Sequence, residues 1–523
     1  MMYKSPAGAP HEGGDHIAPP QGAGDSRDLA RRVGVRLFRN LRTPTRASFA
    51  VSRLPPEEEE THVTLWTAPE IAAATRGTAH GDFTASGVAF DSREIIGGEL
   101  FVAMPGAALD GHHFVPQAIE RGAAGLLVSQ PASAPHVLVP DTAAALTALA
   151  IAARDRAPAL RVGVTGSVGK TGVKEALRAA LTRFAPDAVH ASVKSYNNHT
   201  GVPLSLARMP RETRFGVFEM GMNHAGELAE LTQLVRPNIA VITWIASAHL
   251  EYFADEAAIA DAKGEIFAGL QPGGTAIIPF DSPHYARLRV HAAPHAARIL
   301  SFGLTPGADI FAEHVALHPD CSCVTARIGD ERLTFKVGMA GRHWVGNALA
   351  VLAAVHAAGG DLALAGLALA ELTDLPGRGQ RLRVPTGHGT AIVIDESYNA
   401  NPASMAASLA VLGEITPKNA GRRLAVLGAM RELGSQSDAL HAELAPFIVA
   451  AGVEAIIVVG NEMKPLASAL GRQLQVVYVA DTAAAQTELQ RLLGADDVLL
   501  VKGSNSVRLG DLVAGLKNRE LAS

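Results

Sequence analysis

Cysteine is almost absent, with two in 523 residues. Cys321 and Cys323 stand too close together to staple a fold, so the chain must be held by its core. Two free thiols fit a reducing compartment, the cytoplasm. A C-x-C pair is also metal-binding chemistry, but nothing nearby in the sequence completes a site. Aromatic residues are scarce at 5%, which argues against platforms for stacking bases. No sign of charge dominates: 46 basic against 51 acidic residues give a net −5. A general affinity for nucleic acid is therefore not expected. Long apolar runs are missing too, so no segment is expected to insert in a membrane. What remains is 48% hydrophobic and 19% charged, the composition of a globular protein with an ample core and room for about three domains.

Residues 1–62 read as a disordered extension. Met1 to Gly24 is rich in Gly, Pro, Ala and His, Arg27 to Arg53 is rich in Arg and poor in acids, and Glu57 to Glu60 is an acidic run. Few apolar groups offset the entropy of ordering. The Arg-rich part has the composition of an organellar transit peptide, and a plain extension from an upstream start codon is the alternative. Structure is expected from about Leu65, with Thr67 capping a helix. Alternating short strands and helices over 63–158, among them a helix from Asp110 to Ala123, predict a small α/β domain. Residues 159–376 alternate strands (Gly216 to Glu219, Ile239 to Thr243, Thr275 to Pro279) with helices and predict a doubly wound parallel sheet. Within them, Gly303 to Val337 reads as a strand-rich excursion. A boundary at Pro376-Gly377 opens a third segment, 377–523, which reads as a second, Rossmann-like α/β sheet without the G-x-G-x-x-G fingerprint.

The central stretch is Val162 to Thr171. A β-branched strand, two glycines and a helical pattern make T-G-x-x-G-K-T, a phosphate-loop variant with Val164 where the usual pattern has Gly. Such a loop turns N–H groups onto phosphate oxygens, aided by the helix dipole. Lys170 can reach terminal phosphates and Thr171 can ligate Mg²⁺; an ordinary strand–helix connection is the other reading. Glu219, ending a strand, is either a Mg²⁺ carboxylate or part of a surface turn. His249, at the end of the next strand region, is either structural or functional. Lys263 sits on the helix Ile259 to Phe267, where a lysine is ordinarily solvated. Asn347 interrupts an apolar helix and needs a reason. Asp395-Glu396-Ser397-Tyr398-Asn399-Ala400-Asn401-Pro402 is either helix-capping chemistry or a binding loop.

Taken together and in order, these stretches resemble the Mur ligase family over residues 65 to 515. Within it they resemble the branch that joins D-alanyl-D-alanine to a UDP-N-acetylmuramoyl-tripeptide. Asp395 to Pro402 is close to that branch's D-D-S-Y-N-A-N-P. Thr165 to Lys174 resembles T-G-S-x-G-K-T-T-T-K, Glu219 to Glu227 resembles E-M-G-x-N-x-x-G-E, and Ala262 to Phe267 resembles A-K-x-E-I-F. Leu427 to Gly434 resembles L-G-D-M-L-E-L-G, and Val501 to Ser504 matches V-K-G-S.

The resemblance implies three domains: one for the UDP moiety, one for ATP, and one that closes and receives the amine. It implies an ATP-dependent ligase working through an acyl phosphate, cytoplasmic and monomeric, whose partners are the UDP-linked tripeptide and D-Ala-D-Ala. Thr165, Gly166, Ser167, Val168, Gly169, Lys170 and Thr171 would hold ATP with Asn347 and Arg378. Thr171, Glu219, His249 and Lys263 would form the site of two Mg²⁺, with Lys263 carbamylated and Lys170, His249 and Lys263 catalytic. Ser92, Arg93, Asp110, His112 and Asn198 would lie on the substrate side, and Asp395, Glu396, Asn399 and Asn401 near ATP and the dipeptide. The chain departs from the pattern at Gly172 and Val173 (two threonines in the family motif), Trp344 (Asn in many relatives), Glu396 (Asp) and Ala429 (Asp). The rival ligase that adds the third residue carries a D-N-P-R-type motif, which is missing here. The Asn399 to Pro402 run argues against a folylpolyglutamate synthase. A non-catalytic nucleotide-binding protein would have no need to keep Lys170, Thr171, Glu219, His249 and Lys263 together.

Overall fold

The computed structural model describes residues 64–106, 109–373, 375–471 and 473–520. The expected extension over residues 1–62, with its transit-peptide-like stretch, lies outside the described residues. Three main sheets fall in the three expected segments.

In the first segment, Thr67 caps the helix Ala68–Thr75 in a reciprocal capping box with Glu70. Five strands follow in the spatial order Thr78–His80, His136–Leu138, Gly125–Val128, Glu99–Val102 and Gly87–Ala89. All neighbours are parallel except the first pair. The helix expected from Asp110 to Ala123 is shorter and broken. A 3₁₀ turn, Gly111–Phe114, precedes the α-helix Val115–Glu120. Pro116 lacks the N–H that a continuous helix would use, so it sits in the first turn of a new one. Gly122, at φ +85°, turns the chain away soon after.

The second sheet has nine strands, with Leu160–Thr165 between Ile239–Ile242 and Phe215–Glu219. Helices cover both faces, which the period-two pattern requires. Val162, Val217, Ile239 and Val241 join one core with the helices Lys170–Phe184 and Arg342–Ala357. Phe218, Ala240 and Ile242 join another with Glu227–Val235 and Glu256–Gly264. The stretch expected as an excursion is part of this sheet. Arg298–Gly303 and Ile310–Leu317 continue it in parallel, and Ser322–Ile328 and Glu331–Val337 add on antiparallel. The reason is apolar alternation: Val324, Ala326 and Ile328 point into the same core as Val162. Cys321 and Cys323 are free, Cys321 in the turn between Ile310–Leu317 and Ser322–Ile328.

The third sheet runs Gln380–Thr386, Gly389–Glu396, Val498–Lys502, Arg423–Gly428, Ala455–Val459, Gln475–Val479. The edge strand Gln380–Thr386 was not legible in the sequence. It pairs antiparallel, and its Pro385 is tolerated at an edge. Among the described residues no helix is long and apolar enough to cross a membrane.

Candidate active site

Parallel strands present their C-terminal ends as ligand-binding edges, and the candidate residues collect there. After the strand Leu160–Thr165, residues 166–169 turn tightly before the helix Lys170–Phe184. Both glycines are sterically required. A Cβ on Gly166 would lie 1.9 Å from Thr243 Oγ1, and one on Gly169, at φ +86°, 2.7 Å from Asn347 Oδ1. Asn347 thus earns its place in an apolar helix by flanking the loop. The loop is anchored on its far side: Ser167 N–H donates to Trp244 O, Ser167 Oγ to Ala246 O, and Thr243 Oγ1 to Val168 O. Thr165 Oγ1 is buried without a hydrogen-bond partner among the described residues. Lys170 Nζ folds back onto Gly166 O at 2.6 Å. Burial pushes its ammonium below the ordinary lysine value, with Glu219 and Glu432 pulling the other way.

Thr171 Oγ1 donates to Glu219 Oε2 at 2.8 Å and lies 3.1 Å from Ser195 Oγ. Asn197 Nδ2 donates to Glu219 Oε1 at 2.8 Å. Glu219 is therefore a buried carboxylate at a strand end, not part of a surface turn. Ser195 and Asn197 were missed as site residues, although the polar loop that contains Asn197 was visible. Its neighbour Asn198 accepts from Gly201 N–H through Oδ1 at 2.8 Å, where the helix Gly201–Ala207 begins. The two positions at which the phosphate-loop helix departs from the family motif are both explained by packing. Val173 is fully buried, and a Cβ on Gly172 would come within 2.8 Å of the Trp344 ring.

Lys263 is the largest surprise of burial. It lies on the helix Glu256–Gly264 with 1% of its surface exposed, not solvated. It makes no ion pair among the described residues, and burial, with Lys170 adding repulsion, drives its pKa well below the ordinary value. His249 does not end a strand: the strand stops at Ile242, because the carbonyls beyond it serve the phosphate loop. His249 sits in the following turn at φ +59°, with Nδ1 2.5 Å from Glu432 Oε2. The angle is not that of an aligned hydrogen bond. His249, with Lys170 acting more weakly, holds the Glu432 carboxyl below its usual range.

On the first sheet, the turns after the adjacent parallel strands Gly87–Ala89 and Glu99–Val102 bring Ser92, Arg93, Asp110 and His112 to one edge. Ser92 Oγ donates to Gln117 Oε1 at 2.7 Å, and Arg93 ion-pairs with Asp91 at 2.7 Å. His112 is held between Asp110 Oδ1, 2.6 Å from its Nδ1, and Ser129 N–H, which donates to its Nε2 at 2.9 Å. Glu94, next to Arg93, ties this edge to the phosphate-loop side through Lys194 and Tyr196, both at 2.5 Å, and Arg208 at 3.2 Å.

In the third segment Arg378 stacks over the Tyr398 ring at 4.1 Å and donates to Ser195 Oγ at 3.2 Å. Much of the Asp395 to Pro402 run is capping chemistry. Asp395 accepts from Ser397 Oγ and from Gly377 N–H, and Asn401 caps the helix Pro402–Glu414. The Asn399 side chain accepts from Ala400 N–H. Glu396 remains, held by the buried Lys502, whose Nζ lies 3.3 Å from Glu396 Oε2 and donates to Asn399 O at 3.0 Å. Lys502 was visible only inside the V-K-G-S stretch. Glu396 lines a small cleft with His343, Trp344, Gly379 and Met339.

The donor set fits Mg²⁺. The cluster is one of hard oxygens, Thr171 Oγ1, Ser195 Oγ and Glu219. Among the described residues no three acidic, His or Cys side chains form a cage. Mg²⁺ typically keeps waters and shares substrate phosphates with one or two carboxylates.

Residues 84–162 match the model of the Mur ligase family catalytic domain, 164–355 that of the Mur ligase middle domain, and 377–505 that of the Mur ligase glutamate ligase domain. An Escherichia coli protein named UDP-N-acetylmuramoyl-tripeptide–D-alanyl-D-alanine ligase is 35% identical over 443 residues, 83% of this chain and 94% of its own. A protein of the same name from Rickettsia prowazekii is 31% identical, covering 86% and 99%. A crystal structure of MurF from Acinetobacter baumannii superposes with a TM-score of 0.75 at 30% identity, covering 86% of this chain and 98% of that one. The MurF ligase of Thermotoga maritima, solved in complex with ADP, gives 0.68 at 26% identity, covering 84% and 98%.

Proposed function

The chain belongs to the Mur ligase family, and from that premise we propose that it joins D-alanyl-D-alanine to UDP-N-acetylmuramoyl-tripeptide, converting ATP to ADP and phosphate. The product is the UDP-linked pentapeptide used for peptidoglycan, made in the cytoplasm. The observation that carries the reading is the cluster of Lys170, Thr171, Glu219 and Asn197 around a glycine-framed loop, in a chain that covers 94% of a curated ligase.

The residues divide the work. The N–H groups of the loop and the start of the helix Lys170–Phe184 cradle the phosphates. Lys170, released from Gly166 O, neutralises charge on the transferring phosphoryl group as a substrate carboxylate attacks it. Thr171 and Glu219 would hold one Mg²⁺, and His249 with a carbamylated Lys263 a second. Mg²⁺ in these positions supplies screening of phosphate charge and orientation for in-line transfer. Asn347 and Arg378 flank the nucleotide, Arg378 already stacked on Tyr398 and bonded to Ser195. The Ser92, Arg93, Asp110, His112 edge receives the UDP moiety, with Asn198 beyond it. Glu396 and Asn399, braced by Lys502, serve the nucleotide and dipeptide side, where Asp395 and Asn401 shape the turn. The amine of D-Ala-D-Ala attacks the acyl carbon, the tetrahedral adduct expels phosphate, and closure of the third segment keeps water from the acyl phosphate.

Carbamylation suits Lys263 on chemical grounds. A depressed pKa leaves Nζ with its lone pair free to bond the carbon of CO₂. One C=O electron pair moves to oxygen and the nitrogen loses a proton to solvent, leaving a carboxylate-like group beside Lys170.

Phosphate release tests the reading: it should require both the UDP-tripeptide and D-Ala-D-Ala. A switch ATPase would need neither, and release without them sinks the assignment. Lys170→Ala should abolish acyl-phosphate formation with an unchanged circular-dichroism spectrum.

A further inference from the structure

The turn Leu427 to Gly434 reaches from the third sheet to the His249 loop, and the approach is backbone-tight. Glu251 N–H donates to Glu432 O at 3.1 Å, and a Cβ on Gly434, at φ +56°, would sit 3.1 Å from Glu251 Cα. His249 and Glu432 face each other, and both are non-glycine residues in the left-handed region, at φ +59° and +62°. Such strain persists only where surroundings impose it, and it concentrates at functional sites. The neighbouring cation does not compete for the carboxylate, since Arg431 pairs with Glu462. With Ala429 in the place where the family motif has Asp, Glu432 is the only acid of this turn.

We propose that Glu432 is a positioning residue: its carboxylate takes the Nδ1–H of His249 and so presents Nε2, with its lone pair, to a metal ion. The proposal rests on the ligase reading, from which His249 takes its place at the metal site. A metal-bound histidine characteristically gives its other ring N–H to a carboxylate or carbonyl, which fixes tautomer and ring orientation. Here Oε2 stands 2.5 Å from Nδ1, within reach of a hydrogen bond. The carboxylate is supplied by the C-terminal segment and the histidine by the ATP-binding one. The metal ligand is therefore set only while the two segments are in contact, which couples closure to readiness for phosphoryl transfer.

The test uses the full chain labelled with ¹⁵N. His249 ring nitrogens are identified by their disappearance in His249→Gln, and their tautomer is read from ¹H–¹⁵N correlations without nucleotide. Mn²⁺ affinity is then measured by electron paramagnetic resonance in the presence of a non-hydrolysable ATP analogue. Wild type should show protonated Nδ1. Glu432→Ala should lose that preference and bind Mn²⁺ about 10- to 100-fold more weakly. Glu432→Gln, whose amide oxygen accepts the same N–H, should recover most of both, which a role in packing alone would not predict. An unchanged tautomer together with Mn²⁺ affinity within about twofold of wild type in Glu432→Ala overturns the proposal. If instead the tautomer and affinity respond but no amide forms from D-Ala-D-Ala, the ligase reading falls and the positioning role of Glu432 stands.

Discussion

Lys174 and Lys263 are both buried lysines on helices that flank the same sheet, 0% and 1% exposed, and they are furnished in opposite ways. Lys174 Nζ donates to Ser192 O at 2.7 Å and Lys194 O at 2.6 Å, and pairs with Glu175 at 2.8 Å. All three N–H donors are met, and the lysine pins the segment from which Ser195 and Asn197 reach the phosphate loop. Among the described residues Lys263 has no such set, and the charge that acts on it is another cation, Lys170. Burial is thus common to both, and only the partners tell them apart. A charged group enclosed with partners builds structure; one enclosed without them is held for chemistry.

The comparison breaks most visibly in activity. Lys263→Ala should lower ligation on the order of 10²-fold or more, by analogy with the loss of other transition-state charge stabilisers, while melting normally. Added short carboxylic acids should restore part of the rate by standing in for the carbamate, and full activity without them refutes the carbamate role. Lys174→Met should reverse that pattern. It strands two buried carbonyls and a partly buried carboxylate, at a cost to stability of about 3 kcal/mol, readable as a lower denaturant midpoint. Activity measured well below its melting temperature should fall less than for Lys263→Ala.

A smaller effect sharpens the contrast. Lys263→Met, in CO₂-free buffer, should be as stable as wild type or stabler by about 1 kcal/mol, because a methionine carries no unpaired charge. This gain has a pH dependence of definite sign. Unfolded, a lysine keeps its proton to about pH 10.4; folded, Lys263 gives it up at lower pH. Between those values the unfolded chain binds more protons, so wild-type stability rises with pH. The advantage of Lys263→Met should shrink as pH climbs toward about 10, and an advantage that grows with pH would contradict the depressed pKa.

The core of each sheet was legible because an apolar run is a local signal: Ile239, Ala240, Val241 and Ile242 announce a strand buried on both faces. The phosphate loop was legible because glycine spacing records where a side chain cannot fit. What stayed hidden depends on partners distant in sequence. Nothing around Lys263 marks it as buried, since its enclosure comes from neighbouring elements. The added strands Ser322–Ile328 and Glu331–Val337 read as an excursion because sheet membership is decided by hydrogen bonds to Ile310–Leu317. Asp395 and Asn401 were visible as polar residues, but their capping bonds to Gly377 and Ser404 were not. Glu432 could have been picked from its place in the Leu427 to Gly434 stretch, yet only the facing His249 gives it a task.

The contact between the Trp344 ring and the bare Cα of Gly172 also couples two positions. Where the family motif has threonine and asparagine, this chain has glycine and tryptophan, and the two exchanges fit each other in volume. Made singly, the two exchanges differ in cost. An indole arriving against a threonine overpacks the helix, at about 1–3 kcal/mol, whereas a glycine arriving first in an opening helical turn costs about 1 kcal/mol or less. The smaller step makes room for the larger. With the indole in place, a threonine at position 172 would press on the ring, so the two positions can be exchanged only together.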